Sequence, residues 1–191
     1  MTKIRYPLLA LAVAAFSLAL APGRPSDSEG IAAFETVRAV LQNPRCQNCH
    51  IPGDAPLQFD DGREHAQEVR RGPDGTGSAG LVCGTCHGTA NPPASWGPHM
   101  PPGAPNWHLP PPDRKMVFIG LGRGDLCRRL KDPNENGGKD LEALVRHVRD
   151  DRLVLWGWSP GVGRAPVPVP HDEFVAKFET WVAAGAPCPA P

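Results

Sequence analysis

The chain has 191 residues, 20 Lys and Arg balanced by 20 Asp and Glu, and 40% hydrophobic residues. That suits one globular domain once a leader is set aside, and zero net charge removes the electrostatic grounds for a nucleic-acid or anionic-lipid partner. Pro (24) and Gly (21) make almost a quarter of the residues and aromatics only 6%, so long loops are expected around a core that side chains alone fill thinly.

Residues 1–21 read as an export signal, with Lys3 and Arg5 ahead of an apolar run over 8–20 and Ser17-Leu18-Ala19 as the cleavage site. An uncleaved anchor is the alternative, and both readings put the chain in the periplasm. Residues 22–30 read as a linker and 31–191 as the folded domain. A helix is expected from a cap at Ser26, Asp27 or Ser28, with Ile31, Phe34, Val37, Val40 and Leu41 on one stripe and a stop at Asn43-Pro44.

Cys46-Gln47-Asn48-Cys49-His50 follows, and Cys83-Gly84-Thr85-Cys86-His87 repeats the pattern. C-x-x-C-H marks covalent c-type haem attachment: two thiols on one helical turn add to the two porphyrin vinyls, and the next His places an imidazole under the iron. Two such motifs imply two haem c groups, held by Cys46, Cys49, Cys83 and Cys86 with His50 and His87 as proximal ligands. A four-thiolate zinc site is the competing use of paired C-x-x-C, but it has no need of a His after each pair.

Between the motifs, Asp60 or Asp61 reads as an N-cap for a short helix over 63–70, with His65 and Val69 on one face and Arg70-Arg71 facing haem propionates or water. The glycine-rich stretch 72–80 lacks the Lys-Ser/Thr of a phosphate loop. Residues 91–112 are dominated by proline, a stiff loop presenting His99, Met100, Trp107 and His108. Met100-Pro101 is similar to the Met-Pro pair that closes the distal side in many small cytochromes c.

Further helices are expected from Gly124 or Asp125 to Leu130, over 139–152 with Leu141, Leu144, Val145 and Val148 inward and His147 on the flank, and from His171 or Asp172 with Phe174, Phe178, Trp181 and Val182 buried. Cys127 and Cys188 are the cysteines outside the motifs, and in an exported chain they are expected to form a disulfide. The fold class is therefore mainly α with long Pro/Gly-rich loops, a single c-type cytochrome domain organised around two covalent haems.

Two distal iron positions remain, and five further histidines with Met100 and Met116 compete for them. His65 and His108 are the preferred pair, with Met100, Met116 and His147 as alternatives. The choice matters because methionine opposite histidine raises the potential relative to two imidazoles.

The haem motifs, Gly103-Ala104-Pro105-Asn106-Trp107-His108-Leu109, Asn136-Gly137-Gly138, His147, Trp156-Gly157-Trp158-Ser159-Pro160 and Trp181 through Gly185 to Cys188-Pro189 together resemble exported bacterial proteins labelled isoquinoline 1-oxidoreductase subunits. The resemblance covers most of the mature chain and implies a di-haem cytochrome serving another protein, with His65, His108, Met116 and His147 at positions of potential ligands. The haem stretch alone, with a His between the motifs, is similar to the di-haem subunits of periplasmic nitrate reductases, although no His precedes Cys46. The expectation is a periplasmic electron-transfer protein, not itself an enzyme, relaying single electrons between redox partner proteins, one of them a larger oxidoreductase subunit. The alternative is a haem enzyme with one open iron reducing peroxide or a nitrogen oxide; no paired carboxylates, Ser-His-Asp set or nucleotide loop argue for other chemistry.

Overall fold

The structure, a computed structural model, describes residues 23–190. Helix α1, Asp27–Leu41, starts at a capping box in which the Ser26 hydroxyl accepts the Glu29 N–H at 3.3 Å and the Glu29 carboxylate accepts the Ser26 N–H at 2.7 Å. It buries Phe34, Val37, Val40 and Leu41 of the expected stripe and leaves Ile31 half-buried. The helix begins inside the stretch read as linker, because the box at Ser26 supplies the N-terminal partners five residues before Ile31. Asn43 ends it and caps α2, Pro44–Gln47, the turn that carries the first motif.

After the proline-rich segment come α3, Arg123–Lys131, α4, Leu141–Asp150, α5, Arg152–Leu155, and α6, His171–Ala183. Helices α1 and α6 make the main packing interface. Gly30 permits their approach: a Cβ there would stand 2.6 Å from the Ala184 Cβ and 2.7 Å from the Pro187 Cγ. Phe34, Trp181, Phe178 and Phe174 run through the core as a row of rings with successive centroids 5.2, 5.3 and 6.0 Å apart, spacings that suit tilted and edge-to-face contact. Leu126 and Leu130 of α3 and Leu144, Val145 and Val148 of α4 complete it.

Two sequence expectations are corrected. Residues 63–70 are not helical: Leu57–Gln58 (β1) pairs antiparallel with Arg63–Glu64 (β2), and Gln67 and Glu68 have positive φ. Gly62, at φ +63°, turns the chain after Asp60-Asp61. That turn signal prevails because only Ala66 and Val69 are apolar between Arg63 and Arg70, too few for a buried helical stripe. Asp60 and Asp61 accordingly cap nothing; they pair with Arg45 at 2.6 Å and Arg63 at 2.5 Å. Helix α4 is also shorter than 139–152. Asp140 caps its start, and at Asp151 the backbone turns extended so that the side chain can cap α5.

A second hairpin, Gly77–Ser78 (β3) with Leu81–Val82 (β4), leads directly into Cys83. No helix among the described residues is long and apolar enough to cross a membrane; the expected export signal lies outside them.

Cys127 and Cys188 form a disulfide, with Cα atoms 5.5 Å apart and 61 residues of sequence between them. It ties α3 to the chain beyond α6. A loop of that length corresponds to about 4 kcal/mol of denatured-state entropy. Replacing both cysteines with alanine should lower unfolding stability by about 2–5 kcal/mol in a denaturant titration.

Candidate functional site

Both C-x-x-C-H stretches fold into the same turn. In the first, the Asn43 side chain accepts the Arg45 N–H at 3.0 Å and Pro44 occupies the first helical position, an arrangement that needs no Pro N–H. The Cys49 and His50 N–H groups then donate to the Cys46 carbonyl at 3.2 and 3.3 Å. In the second, a 3₁₀ turn over Cys83–Thr85, the Cys86 and His87 N–H groups donate to the Cys83 carbonyl at 3.2 and 3.0 Å. The two thiols and the imidazole of each motif thus stand on one helical turn.

Each motif histidine is clasped in the same way. His50 Nδ1–H donates to the Met116 carbonyl at 2.8 Å, Phe118 N–H donates back to the His50 carbonyl at 2.9 Å, and the Phe118 ring stacks on the imidazole at 3.9 Å. His87 Nδ1–H donates to the Pro102 carbonyl at 2.7 Å, and Trp107 stacks on it at 4.4 Å with ring planes 3° apart. A carbonyl can only accept, so the proton is on Nδ1 and the Nε2 lone pair is free for a metal. Burial holds both imidazoles toward the neutral form, His50 down to about 4.

The four motif thiols are unpaired. Burial pushes Cys46 up to about 12 and Cys49 up to about 11, and nearby Cys83 further opposes ionisation of Cys49. Among the described residues no three His, Cys, Asp or Glu side chains converge as a metal-binding group.

No family model, curated protein or solved structure matches the chain.

The sequence-predicted distal residues divide between the two motifs. Hairpin β1–β2 hangs from the first motif through Leu57 N–H to the Asn48 carbonyl at 2.8 Å, and it carries His65 across to the second. The His65 and His87 ring centroids are 6.2 Å apart. Two imidazoles on opposite sides of one metal, with metal–nitrogen bonds of about 2 Å, have centroids about 6 Å apart. His65 also engages Nδ1, with the Ala66 carbonyl at 2.7 Å, which leaves Nε2 free.

The first motif opens on a cavity of about 230 Å³ lined by Cys46, Cys49 and His50, by core residues such as Leu144 and Phe178, and by His108 and His147. His108 Nδ1 is held by the Asn106 carbonyl and His147 Nδ1 lies 3.3 Å from the Asp151 carboxylate. The hydrogen bond with His147 brings Asp151 down to about 2. His171 is the reverse case, its Nε2 bonded to the Val148 carbonyl at 2.9 Å.

Met116 lines the same cavity as His50, and Met100 does not. The Met116 carbonyl takes the His50 Nδ1–H, so its backbone is on the side of the ring away from Nε2. Met100 precedes Pro102 by two residues and borders a separate crevice with Asn91, Pro102 and Arg164.

Arg71 does not face water, and its Nε lies 3.4 Å from the Asp54 carboxylate. It is fully buried and donates to the Ile51 carbonyl at 3.2 Å, the Gly53 carbonyl at 2.9 Å and the Pro110 carbonyl, which fastens the loop after the first motif to the proline-rich segment. Arg70 stays exposed, 3.7 Å from Glu64. Sequence reasoning missed two guanidiniums that border the cavity, Arg114 and the buried Arg45. The Arg45 side chain is 2% exposed, paired with Asp60 at 2.6 Å and set over the Trp156 ring at 5.8 Å, and its buried Nε has no hydrogen-bond partner among the described residues. Its place directly before Cys46 was the only available signal. Phe118 and the two accepting carbonyls left none, since a main-chain acceptor has no residue identity.

Replacing Arg71 with methionine keeps the volume but leaves three carbonyls without their charged donor. The expected loss is about 3–5 kcal/mol, read as a fall in the denaturation midpoint, whereas Arg70→Met at the exposed neighbour should change stability by less than about 0.5 kcal/mol.

Proposed function

We propose that this chain is an exported, periplasmic di-haem c-type cytochrome that relays single electrons between redox partner proteins. One observation carries the reading: the two C-x-x-C-H turns have the same hydrogen bonds, and each presents a histidine whose Nδ1 is tied to a carbonyl and whose Nε2 is free. A zinc knuckle or a disulfide framework has no use for that second feature.

The residues fit two covalent haems. Cys46 and Cys49 would hold the first and Cys83 and Cys86 the second, with His50 and His87 as proximal ligands. His65 is placed to serve opposite His87, and the cavity before His50 is bordered by His108 and His147. Arg45, with an orphaned buried Nε on that cavity, suits a propionate carboxylate. When bound, the haems supply reversible one-electron oxidation and reduction of iron. The chain's own contribution is to attach them, to orient the axial imidazoles through Nδ1, and to exclude water from the first site by the core residues around it.

The two sites differ in exposure. Cys46, Cys49 and Cys83 are half-buried, while Cys86 is exposed. The second haem, attached through Cys86, is therefore the one that offers an edge to a partner. The resemblance to isoquinoline 1-oxidoreductase subunits agrees with a cytochrome that serves a larger oxidoreductase.

The test is spectroscopic. Pyridine haemochrome analysis of the exported protein should give two covalent haems per chain, and Cys83→Ala with Cys86→Ala should leave one; two remaining would refute the assignment. In the oxidised protein, electron paramagnetic resonance should show two low-spin irons, and His65→Ala should convert one of them to high spin. A high-spin iron in the unaltered protein that binds cyanide would instead favour peroxide or nitrogen-oxide reduction at an open site.

A further inference from the structure

Asp151 has two tasks that the sequence does not announce. Its Oδ1 accepts the Leu153 N–H at 2.8 Å and the Val154 N–H at 3.4 Å, which caps α5. Its Oδ2 lies 3.3 Å from Nδ1 of His147, one turn earlier on α4. Both residues line the cavity that contains Cys46, Cys49 and His50. The kink between α4 and α5 is what makes this double contact available, because a continuous helix would direct Asp151 away from the α5 amides.

His147 and His108 both border this cavity, and they are held differently. His108 is exposed on the proline-rich loop, and its Nδ1 bonds to the carbonyl of Asn106 only two residues away. His147 projects from a helix whose stripe of Leu144, Val145 and Val148 is buried in the core. A ligand on a packed helix is better fixed than one on an exposed loop. A carboxylate behind Nδ1 also fixes the tautomer and strengthens Nε2 as a donor, more than a neutral carbonyl does.

Resting on the di-haem reading, we infer that His147 is the sixth ligand of the first haem and that Asp151 is its positioning residue, orienting the imidazole and placing a negative charge behind it. The other candidate axial histidines, His50, His65, His87 and His108, are backed by main-chain carbonyls. Asp151 therefore acts on one haem alone. A charge at that place favours the ferric iron and lowers the potential of the first haem relative to the same ligand pair without it.

The experiment uses the full exported protein with its haems attached and combines haem stoichiometry, electron paramagnetic resonance and a potentiometric titration. His147→Ala should retain two covalent haems while one low-spin signal becomes high spin, and His108→Ala should leave both low-spin. Asp151→Asn keeps a side-chain oxygen to cap α5 but removes the charge; it should leave both irons low-spin and raise one of the two midpoint potentials, the other staying in place. Asp151→Ala should give the same rise and, having lost the cap, also a lower melting temperature. The inference is overturned if His147→Ala leaves both irons low-spin, or if Asp151→Asn moves neither potential. Fewer than two covalent haems in the unaltered protein would overturn the underlying di-haem reading itself, a result that the stoichiometry separates from the other two.

Discussion

The hydrogen bond from Nδ1 of each motif histidine to a main-chain carbonyl is the constraint on which the site depends. It determines which nitrogen carries the proton, which way the ring faces and which segment must lie behind it. The proline-rich middle of the chain is there to supply those carbonyls. Pro102 and Met116 lie on stretches without helix or strand, where carbonyls are not committed to regular structure and remain available to a side chain. Trp107 and Phe118 follow closely on the same segments and cover the ring faces, so acceptor and stacking partner arrive together.

Such a segment has to be held without regular structure of its own. Arg71 does much of this by joining both sides through three carbonyls from a fully buried position. Gly75 does more: its backbone, at φ +89°, approaches the Leu109 carbonyl so closely that a Cβ would collide with it, and its own carbonyl accepts the Leu109 N–H at 2.9 Å. The glycine-rich stretch before the second motif is thus a packing surface for the proline-rich one. Glycine there serves close approach and a left-handed backbone, which other residues adopt at a cost.

The helical part answers the first motif. The aromatic row from Phe34 to Phe174 ends at the cavity wall, where Phe174 and Phe178 join Val40, Leu41 and Leu144. Among the described residues no side chain fills the cavity that this apolar face of the core borders. In the proposed reading a porphyrin covers it, which accounts for a chain with few aromatics and abundant Pro and Gly forming a well-packed domain.

The sequence by itself determined the helices with a cap and a full apolar stripe, the two haem-type motifs and the pairing of Cys127 with Cys188, because these depend on residue types at short spacings or on elimination. It did not determine residues 57–64 as a hairpin, since a turn at Gly62 and a weak helical box at Asp60 compete and only packing decides between them. Nor did it reveal that Arg71 is a buried brace, that Arg45 reaches the cavity, or that the His65 ring lies 6.2 Å from His87 while His108 and His147 share a cavity with His50. Those relations join residues far apart in the chain through backbone carbonyls and ring faces. Neither leaves a mark in residue spacing, so the tertiary structure alone could decide them.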